Sequence, residues 1–403
     1  MSGIVIVGGG VVGASCALML GIQGNKVTLI ESQNQDTLMS PKLDRRTIAL
    51  SYGSVLLFKE LNIWEQLSQY STAIKNIIVS QQTSFAKTFL KASKYDIPAF
   101  GYTISLQLIK KILFENLSKY ENITVKFQQE VIELKQDKNQ INQIVIKNLV
   151  NNKQETINYK LCIAADGNSS FIKQSSNINN QQYDYNQTAI VGTLFHTKSH
   201  NNYAFERFGK NNTIAVLPVF NLLNKNKIDS YTSSLVWVFE NAGIDKIINL
   251  NKSDFIKQLQ INFGYRLGKI INIENKQCFP LAGIMSDKLY NLDKKSIFLG
   301  NAANSLHPVM AQGLNLGLRD AYSLSKIINK YYKIYNDLDN LEFLEDYSVS
   351  RAEDHKNIIK TTHFLANNKI PLFPKNLGLF LFNDLPFVQS SIVSSALGLN
   401  AYA

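Results

Sequence analysis

The sequence predicts an α/β chain: a Rossmann-type nucleotide-binding core, an inserted antiparallel sheet and helices at the C-terminal end. Three observations predict it. The chain opens with a strand, a glycine-rich turn, a helix and a second strand. Two later apolar runs, near residues 161 and 297, read as buried strands that end in glycine turns. Between them, residues 185–280 are rich in strand-type and aromatic residues, and two long helical patterns follow residue 314.

The opening unit carries the most specific signal. Residues 4–7 are apolar and form a strand, residues 11–23 a helix, and residues 26–30 a second strand ending at Glu31. Gly8, Gly10 and Gly13 make a G-x-G-x-x-G loop. Gly8 permits the tight turn, Gly10 lets backbone approach a pyrophosphate, and Gly13 lets helix and strand pack closely. Glu31 stands where a carboxylate accepts hydrogen bonds from a ribose diol. With Val12 in the same loop, these residues are candidate contacts for a dinucleotide.

Residues 32–50 read as a polar loop, followed by short helices over 52–61 and 64–69. Residues 74–80 and 85–91 alternate like an antiparallel pair, and Ser105 opens a helix to about 119. Strands follow at 123–127, 130–135, 141–148 and 155–159, the last three a meander. The run Ala164-Ala-Asp-Gly167 ends a buried strand before a serine-capped helix. Asp166 and Gly167 thus sit at a strand's carboxyl end, where open α/β sheets hold ligands, although a capped turn needs the same residues.

In the 185–280 block, strands at 188–195, 203–208, 213–219 and 232–239 and a helix at 253–263 suggest a second, mostly antiparallel sheet. Its aromatics either line an apolar pocket or fill a core. Phe205, Arg207 and Trp237, with His307 from farther along, are the candidate pocket residues. The strand at 297–299 then bends at Gly300, crosses a loop closed by His307-Pro308, and enters a helix near Gly313. Gly313 and Gly317 leave backbone open at a helix N-terminus, which suits an electron-rich ligand edge. Helices over 314–332 and 341–367 precede an apolar tail at 370–403, which is either packed on the domain or an interaction patch.

The 403 residues suffice for two domains: a discontinuous nucleotide-binding domain (1–73, 101–180, 281–345) and a second domain (74–100, 181–280), with a C-terminal helical region (346–403). Cys16, Cys162 and Cys278 show no paired spacing, which argues against a disulfide framework and suits a reducing compartment. The five histidines do not combine with acids at metal-ligand spacing, so no metal is expected. The net charge of +11 is dispersed among Asn and Gln, with no run of five like charges and no nucleic-acid motif. It reads as a solvated basic surface or as attraction to an anionic membrane surface. Residues 3–7 run into glycines rather than a cleavage site, and no apolar stretch reaches the roughly 18 residues that span a bilayer. The expectation is an intracellular protein without a transmembrane segment.

Assembled, these segments resemble the FAD-dependent aromatic hydroxylases of the p-hydroxybenzoate hydroxylase fold, and within them the ubiquinone-biosynthesis branch. Gly8, Gly10, Gly13 and Glu31 match the family's ADP fingerprint. The run Asp44-Arg-Arg-Thr-Ile-Ala-Leu50 resembles its D-x-R-x-x-A-L motif and places Arg46 near the flavin. Asp166-Gly167 match its D-G motif, tied to FAD and NAD(P)H contacts. Gly300, Asn301, Pro308, Gln312, Gly313, Leu314 and Asn315 match its second FAD motif. The variants Gly300-Asn-Ala-Ala, Leu306-His-Pro, Ala204-Phe-Glu-Arg-Phe208 and Phe263-Gly-Tyr-Arg-Leu-Gly-Lys-Ile270 look most like hydroxylases of 2-polyprenyl-6-methoxyphenol.

The resemblance implies FAD as cofactor, NAD(P)H as a transient reductant and O2 as co-substrate. It implies ring hydroxylation of a polyprenylated phenol at C1 to a 1,4-benzoquinol, in the cytoplasm or peripherally on the inner membrane, beside other ubiquinone-biosynthesis proteins. It also implies that the helix near Gly313 directs its positive end toward the flavin, and it supplies no catalytic base. Two residues depart from the family pattern. Ala311 stands where a glycine is usual, and Asn301 where an aspartate is common. Three other functions fit part of the chain: a flavin oxidase or reductase, a paralogous hydroxylase acting at another ring carbon, and a non-catalytic flavin-binding partner.

Overall fold

The computed structural model describes residues 3–40, 46–82, 87–220, 230–307, 311–366 and 397–399. The run around Asp44, Pro308 and nearly all of the apolar tail lie outside them.

The nucleotide-binding half is a six-stranded sheet. Its order is Tyr290–Asn291, Ser296–Phe298, Leu161–Ala164, Ile4–Val7, Val27–Glu31, Ile123–Phe127. All neighbours are parallel except the Tyr290–Asn291 edge. Ile4, Val5, Ile6, Leu161, Cys162 and Ile163 are completely buried, as strands covered on both faces must be. Helix Val11–Ile22 covers one face, and glycine 13 lets it sit against the first turn. The expected meander is present as an antiparallel trio, Gln129–Gln136, Asn142–Asn148 and Gln154–Asn158.

The second sheet has eight strands. Its order is Asn304–Ser305, Ile270–Ser286, Asn180–His196, Tyr231–Glu240, Asn212–Pro218, Tyr203–Phe208, Asn76–Gln81, Lys87–Lys91. Adjacent strands are antiparallel except Tyr203–Phe208 and Asn76–Gln81, which run parallel. One face packs on helix Lys252–Phe263, where Ile190, Ile214, Leu235 and Trp237 meet Phe255, Leu259 and Phe263. The opposite face turns toward the nucleotide-binding half. A small sheet of Thr47–Ser51, Gly101–Ser105 and Thr72–Ile74 lies between the two.

Several segments differ from the sequence reading. Residues 32–50 are not all loop. Asn34 caps a short helix, Gln35–Met39, by accepting from the Thr37 N–H at 2.6 Å, and Thr47–Ser51 is a strand. Its partner Gly101–Ser105 also escaped the pattern, because both strands are too short to show alternation. Ser105 stands at the start of helix Leu106–Leu117 but its side chain makes no capping bond. The amphipathic helix Asn241–Ile248 and the 17-residue strand Ile270–Ser286 were hidden as well. In that strand residues 274–279 are polar or exposed on both faces, so a buried/polar alternation never develops.

Helix Gln312–Tyr335 begins with a strained residue. Ala311 adopts φ 51°, ψ 37°, the left-handed region that costs an L-residue about 1–2 kcal/mol. Asn315, one turn on, holds this start in place. Its Nδ2 donates to the Ala311 carbonyl at 2.7 Å and to the Ala49 carbonyl at 3.0 Å. Its Oδ1 accepts from the Ser51 N–H at 2.9 Å and the Ser54 hydroxyl at 2.7 Å. All four hydrogen-bonding positions of the amide are thereby used within the protein.

The long helix is clamped farther on by helix Glu342–Ala366. Asp320 is 1% exposed and accepts from Arg351 Nε at 2.7 Å and His355 Nε2 at 2.8 Å. Arg319 donates through Nε to Asp354 at 2.8 Å, and Arg351 also pairs with Asp354. The other ring nitrogen of His355 meets Asn304 Nδ2 at 2.8 Å. Burial alone would raise the Asp320 carboxyl, but the His355 and Arg351 charges outweigh it and hold it at about 2.

Two outcomes follow. Ala311→Gly removes the left-handed penalty and is expected to stabilise the protein by about 1 kcal/mol, read as a higher Tm; an unchanged or lower Tm refutes the strain. Asp320→Asn removes the buried carboxylate that accepts from both Arg351 and His355 and is expected to cost about 3 kcal/mol or more at pH 7. A carboxyl depressed on folding stabilises above its unfolded value near 4 and loses that effect as pH falls toward 2. The difference between wild type and Asp320→Asn should therefore shrink across that window in urea titrations.

Candidate functional site

The glycine loop has the geometry of a phosphate cradle. Gly8 has φ 100°, and a Cβ there would sit 2.4 Å from the Ala165 carbonyl oxygen. A Cβ on Gly13 would lie 2.0 Å from the Gly8 carbonyl oxygen, so this glycine is required by packing. A Cβ on Gly10 would meet nothing within 4 Å, so the space above it is open. Helix Val11–Ile22 has no side-chain cap and no acidic residue in its first turn, which leaves its first N–H groups for an anion. Glu31 is buried at the end of its strand. Its Oε1 accepts from the Gln33 N–H at 2.7 Å and the Ser32 hydroxyl at 3.3 Å, and its Oε2 accepts from the Gly9 N–H at 2.7 Å and retains a lone pair for a ribose hydroxyl.

The other two motif segments meet this loop. Ala165–Gly167 lies against Gly8, since the strands carrying them are parallel neighbours. Gly300 has φ 55°, and a Cβ there would lie 3.2 Å from Val12 Cγ2. A Cβ on Gly317 would come within 2.8 Å of both the Gly300 Cα and Val12 Cγ2. Val12 therefore packs the opening helix against the late one. Asn301 is exposed, Gln312 buried, and Leu314 half-buried against the main core. Gly313 faces open space. Asp166 accepts from the Phe171 N–H at 2.9 Å through Oδ2. Its Oδ1 is buried without a hydrogen-bond partner, and burial raises the carboxyl. Gly167 has φ 85° and open space where a Cβ would stand.

A cleft of about 750 Å³ lies between this region and the eight-stranded sheet. Arg46, Thr47, Ile48, Asn168 and Leu306 form the nucleotide-side wall. Ala189, Val191, Thr193, Ser234 and Val236 form the sheet side, alternate residues of two paired strands. That alternation corrects the expected pocket. Trp237 and Phe205 belong to the other face, in the core with Phe255 and Phe263, with 0% and 7% exposure. Arg207 shares that face and donates to the Asn262 carbonyl at 2.7 Å. None of the three lines the cleft. His307 follows Leu306, is buried, shares a 2.8 Å hydrogen bond with Gln187 Oε1 and meets the Tyr185 ring edge-on at 4.9 Å. Burial, reinforced by His363, pushes it down to about 4, so it is neutral at pH 7. The cleft residues that sequence reading missed include small and aliphatic ones (Ala189, Val191, Val236) and the polar run Asn275 to Gln277, and only the strand register sorts the apolar ones from the core. Among the described residues no group of three His, Cys, Asp or Glu is placed to hold a metal.

Comparison with known proteins follows the same lines. A family model described as FAD binding domain matches residues 1–361. The ubiquinone hydroxylase UbiM of Neisseria meningitidis is 28% identical over 86% of this chain and 73% of its own. The 3-demethoxyubiquinol 3-hydroxylase of Escherichia coli is 26% identical over 98% of each chain. The crystal structure of p-nitrophenol 4-monooxygenase PnpA from Pseudomonas putida superposes with a TM-score of 0.77 over 98% of each chain at 16% identity, which establishes the fold. The open space over Gly10, the uncapped helix and the placement of Glu31 fit the cofactor that the family model describes. The chain belongs to the FAD binding domain family, takes FAD as its cofactor, and has the fold shared by FAD-dependent monooxygenases.

Proposed function

We propose that the chain hydroxylates the ring of a polyprenylated phenol in ubiquinone biosynthesis, with FAD, NAD(P)H and O2. The observation that carries this is the cleft, where Ala189, Val191, Val236, Phe279 and Leu281 give the sheet wall an apolar stretch beside Lys276 and Gln277, and the nucleotide motifs form the other wall. It suits an uncharged aromatic ring held against a flavin. The names of the relatives, ubiquinone hydroxylase and 3-demethoxyubiquinol 3-hydroxylase, supply the substrate class. The substrate we favour is 2-polyprenyl-6-methoxyphenol, hydroxylated at C1 to the 1,4-benzoquinol. The E. coli relative is named for carbon 3, which favours a second reading with the same chemistry at that position.

FAD supplies the electron and oxygen chemistry when bound. In this proposal Gly8, Gly10, Val12, Gly13 and Glu31 hold its ADP half. Arg46, Asp166, Gly167, Gly300, Asn301, Pro308, Gln312, Gly313 and Leu314 surround the rest. Asn315, whose amide is fully engaged, acts by holding the helix start rather than by direct contact. The positive end of helix Gln312–Tyr335 suits the negative charge that reduction brings. Thr47, Ile48 and the sheet face position the ring and keep water from it. The same proposal takes residues 74–100 and 181–280 as the substrate-binding domain and the remainder up to 345 as the FAD-binding domain. It also includes contact with an anionic membrane surface, motivated by the +11 charge and a lipid-tailed substrate. Among the described residues no helix is long and apolar enough to cross a membrane.

The quinone intermediates of a deletion strain test the substrate. Accumulated 2-polyprenyl-6-methoxyphenol is the expected result; 3-demethoxyubiquinol would move the reaction to carbon 3, and unchanged ubiquinone would reject the pathway. Gly10→Val fills the open space over the loop and is expected to abolish FAD binding. A purified variant that stays yellow would refute this placement of the pyrophosphate.

A further inference from the structure

The cleft-bearing face of the eight-stranded sheet does not end at Val236. The register carries the line Gln277, Val191, Val236 across to Ala215, Glu206, Val79 and Thr88. Gln277, Val191 and Val236 line the cleft. Glu206 lies two strands beyond Val236, roughly 10 Å away at the usual strand spacing. Between them stands Ala215, a half-buried residue whose single methyl makes a low wall. The neighbouring line runs from Ala189, also in the cleft, through Val238, Thr213 and Phe208 to Gln81. Glu206 and Gln81 are thus diagonal neighbours across the parallel strand pair, with Cβ atoms roughly 7 Å apart.

Among the described residues neither side chain has a hydrogen-bond or ion-pair partner. Gln81 is 3% exposed, and neither its Nε2 nor its Oε1 makes a hydrogen bond. Glu206 makes no hydrogen bond or ion pair, and its strand neighbours on this face, Val79 and Ala215, offer it none. Arg207 faces the other way, engaging Asn262, and Arg266 reaches Phe263 and Ser80 on that same far side. Tyr52 and Tyr95, which pack with Ala204 and Leu217 on the near face, contribute phenols rather than charges. A buried amide and a half-buried carboxylate left open together cost folding free energy that a ligand can recover.

We propose that Glu206 accepts the hydrogen bond and then the proton of the substrate's phenolic hydroxyl, while Gln81 donates to the same oxygen. This rests on the hydroxylase reading above and adds the base which that reading lacks. The phenol O–H bond breaks, its electron pair stays on the ring oxygen, and the proton moves to a Glu206 carboxylate oxygen. The ring carbon to be hydroxylated becomes electron-rich. When that carbon, now bearing its hydroxyl, loses its hydrogen to water, the proton returns from Glu206 to the ring oxygen. Burial pushes the Glu206 carboxyl up to about 7. It is protonated and unable to accept below that value, and ionised above it, which matches a base working near neutrality.

The test uses the FAD-loaded full chain and a short-chain 2-prenyl-6-methoxyphenol. Wild-type kcat should rise with pH through about 7. Glu206→Gln, with FAD absorbance confirmed, should lower kcat by about 100-fold or more and abolish that rise. Gln81→Leu should lower kcat by about 10-fold while keeping the rise. A Glu206→Gln enzyme within threefold of wild type, with the pH dependence intact, overturns the proposal and leaves the hydroxylase reading standing. A wild type that holds FAD but hydroxylates no prenylated phenol overturns both. Should Glu206→Gln lose its FAD, the absorbance of the phenol bound to wild type decides. Phenol at about pH 6 turning to phenolate at about pH 8 supports the proton transfer, and a probe neutral at both refutes it.

Discussion

The contact between Gly317, Gly300 and Val12 is the constraint on which the site depends. One extra carbon on Gly317 would stand 2.8 Å from atoms of both neighbours. That distance fixes how closely the late helix approaches the first nucleotide loop. Two further attachments hold the approach. Asn315 ties the helix start to Ala49, Ser51 and Ser54, next to the cleft wall at Thr47 and Ile48. The Asp320–Arg351–His355 cluster ties the same helix to the C-terminal one and, through Asn304, to the edge of the eight-stranded sheet. A helix placed this firmly can present its N-terminus to a ligand without reorganising, which is what electrostatic preorganisation requires.

The cofactor half was legible in the sequence because its physics is local. Gly8, Gly10, Gly13 and Glu31 sit within one βαβ unit, and each has its reason in a neighbour a few residues away or one strand over. Ala311 was legible as a strained position for the same reason, since its backbone angle belongs to the turn itself. The cleft was not legible. Val236 and Trp237 are adjacent, equally apolar, and serve opposite faces. Composition favours the aromatic as a pocket residue, yet a large flat side chain on a two-sided sheet buries most area against a covering helix, here Lys252–Phe263. Only register separates them, and register is set by pairing with strands tens of residues distant.

Asn315 illustrates a second limit. A motif asparagine beside a ligand reads as a contact. Its amide instead makes four bonds to protein, three of them to residues more than 260 positions earlier. The neighbouring Ala311 explains the need. A residue held in the left-handed region persists when its surroundings over-determine it, and the bond from Asn315 to the Ala311 carbonyl is part of that surrounding. The glycine usual at this position would relax the strain but also add freedom to the turn.

Buried polar groups in this protein fall into two kinds, and the division locates chemistry better than residue type does. Asp320, Asn315 and His307 are engaged by protein partners and hold elements together. Asp166 Oδ1 and both amide atoms of Gln81 are buried and unpaired. Lack of a partner is not sufficient by itself. Arg319 Nη1 and the Tyr347 hydroxyl are also unpaired, but Arg319 packs beside Gly398 and Tyr347 lies in the main core on helix Glu342–Ala366, both away from the cleft. Asp166 precedes a cleft-lining residue, Asn168, and Gln81 shares the cleft-bearing face of the sheet with the unpaired carboxylate of Glu206. An unpaired group away from the cleft is a local cost of packing. One near a cleft is a cost that a bound molecule can remove, and such groups lie to both sides of this one: Asp166 two residues before cleft-lining Asn168, and Gln81 with Glu206 farther along the cleft-bearing face of the sheet.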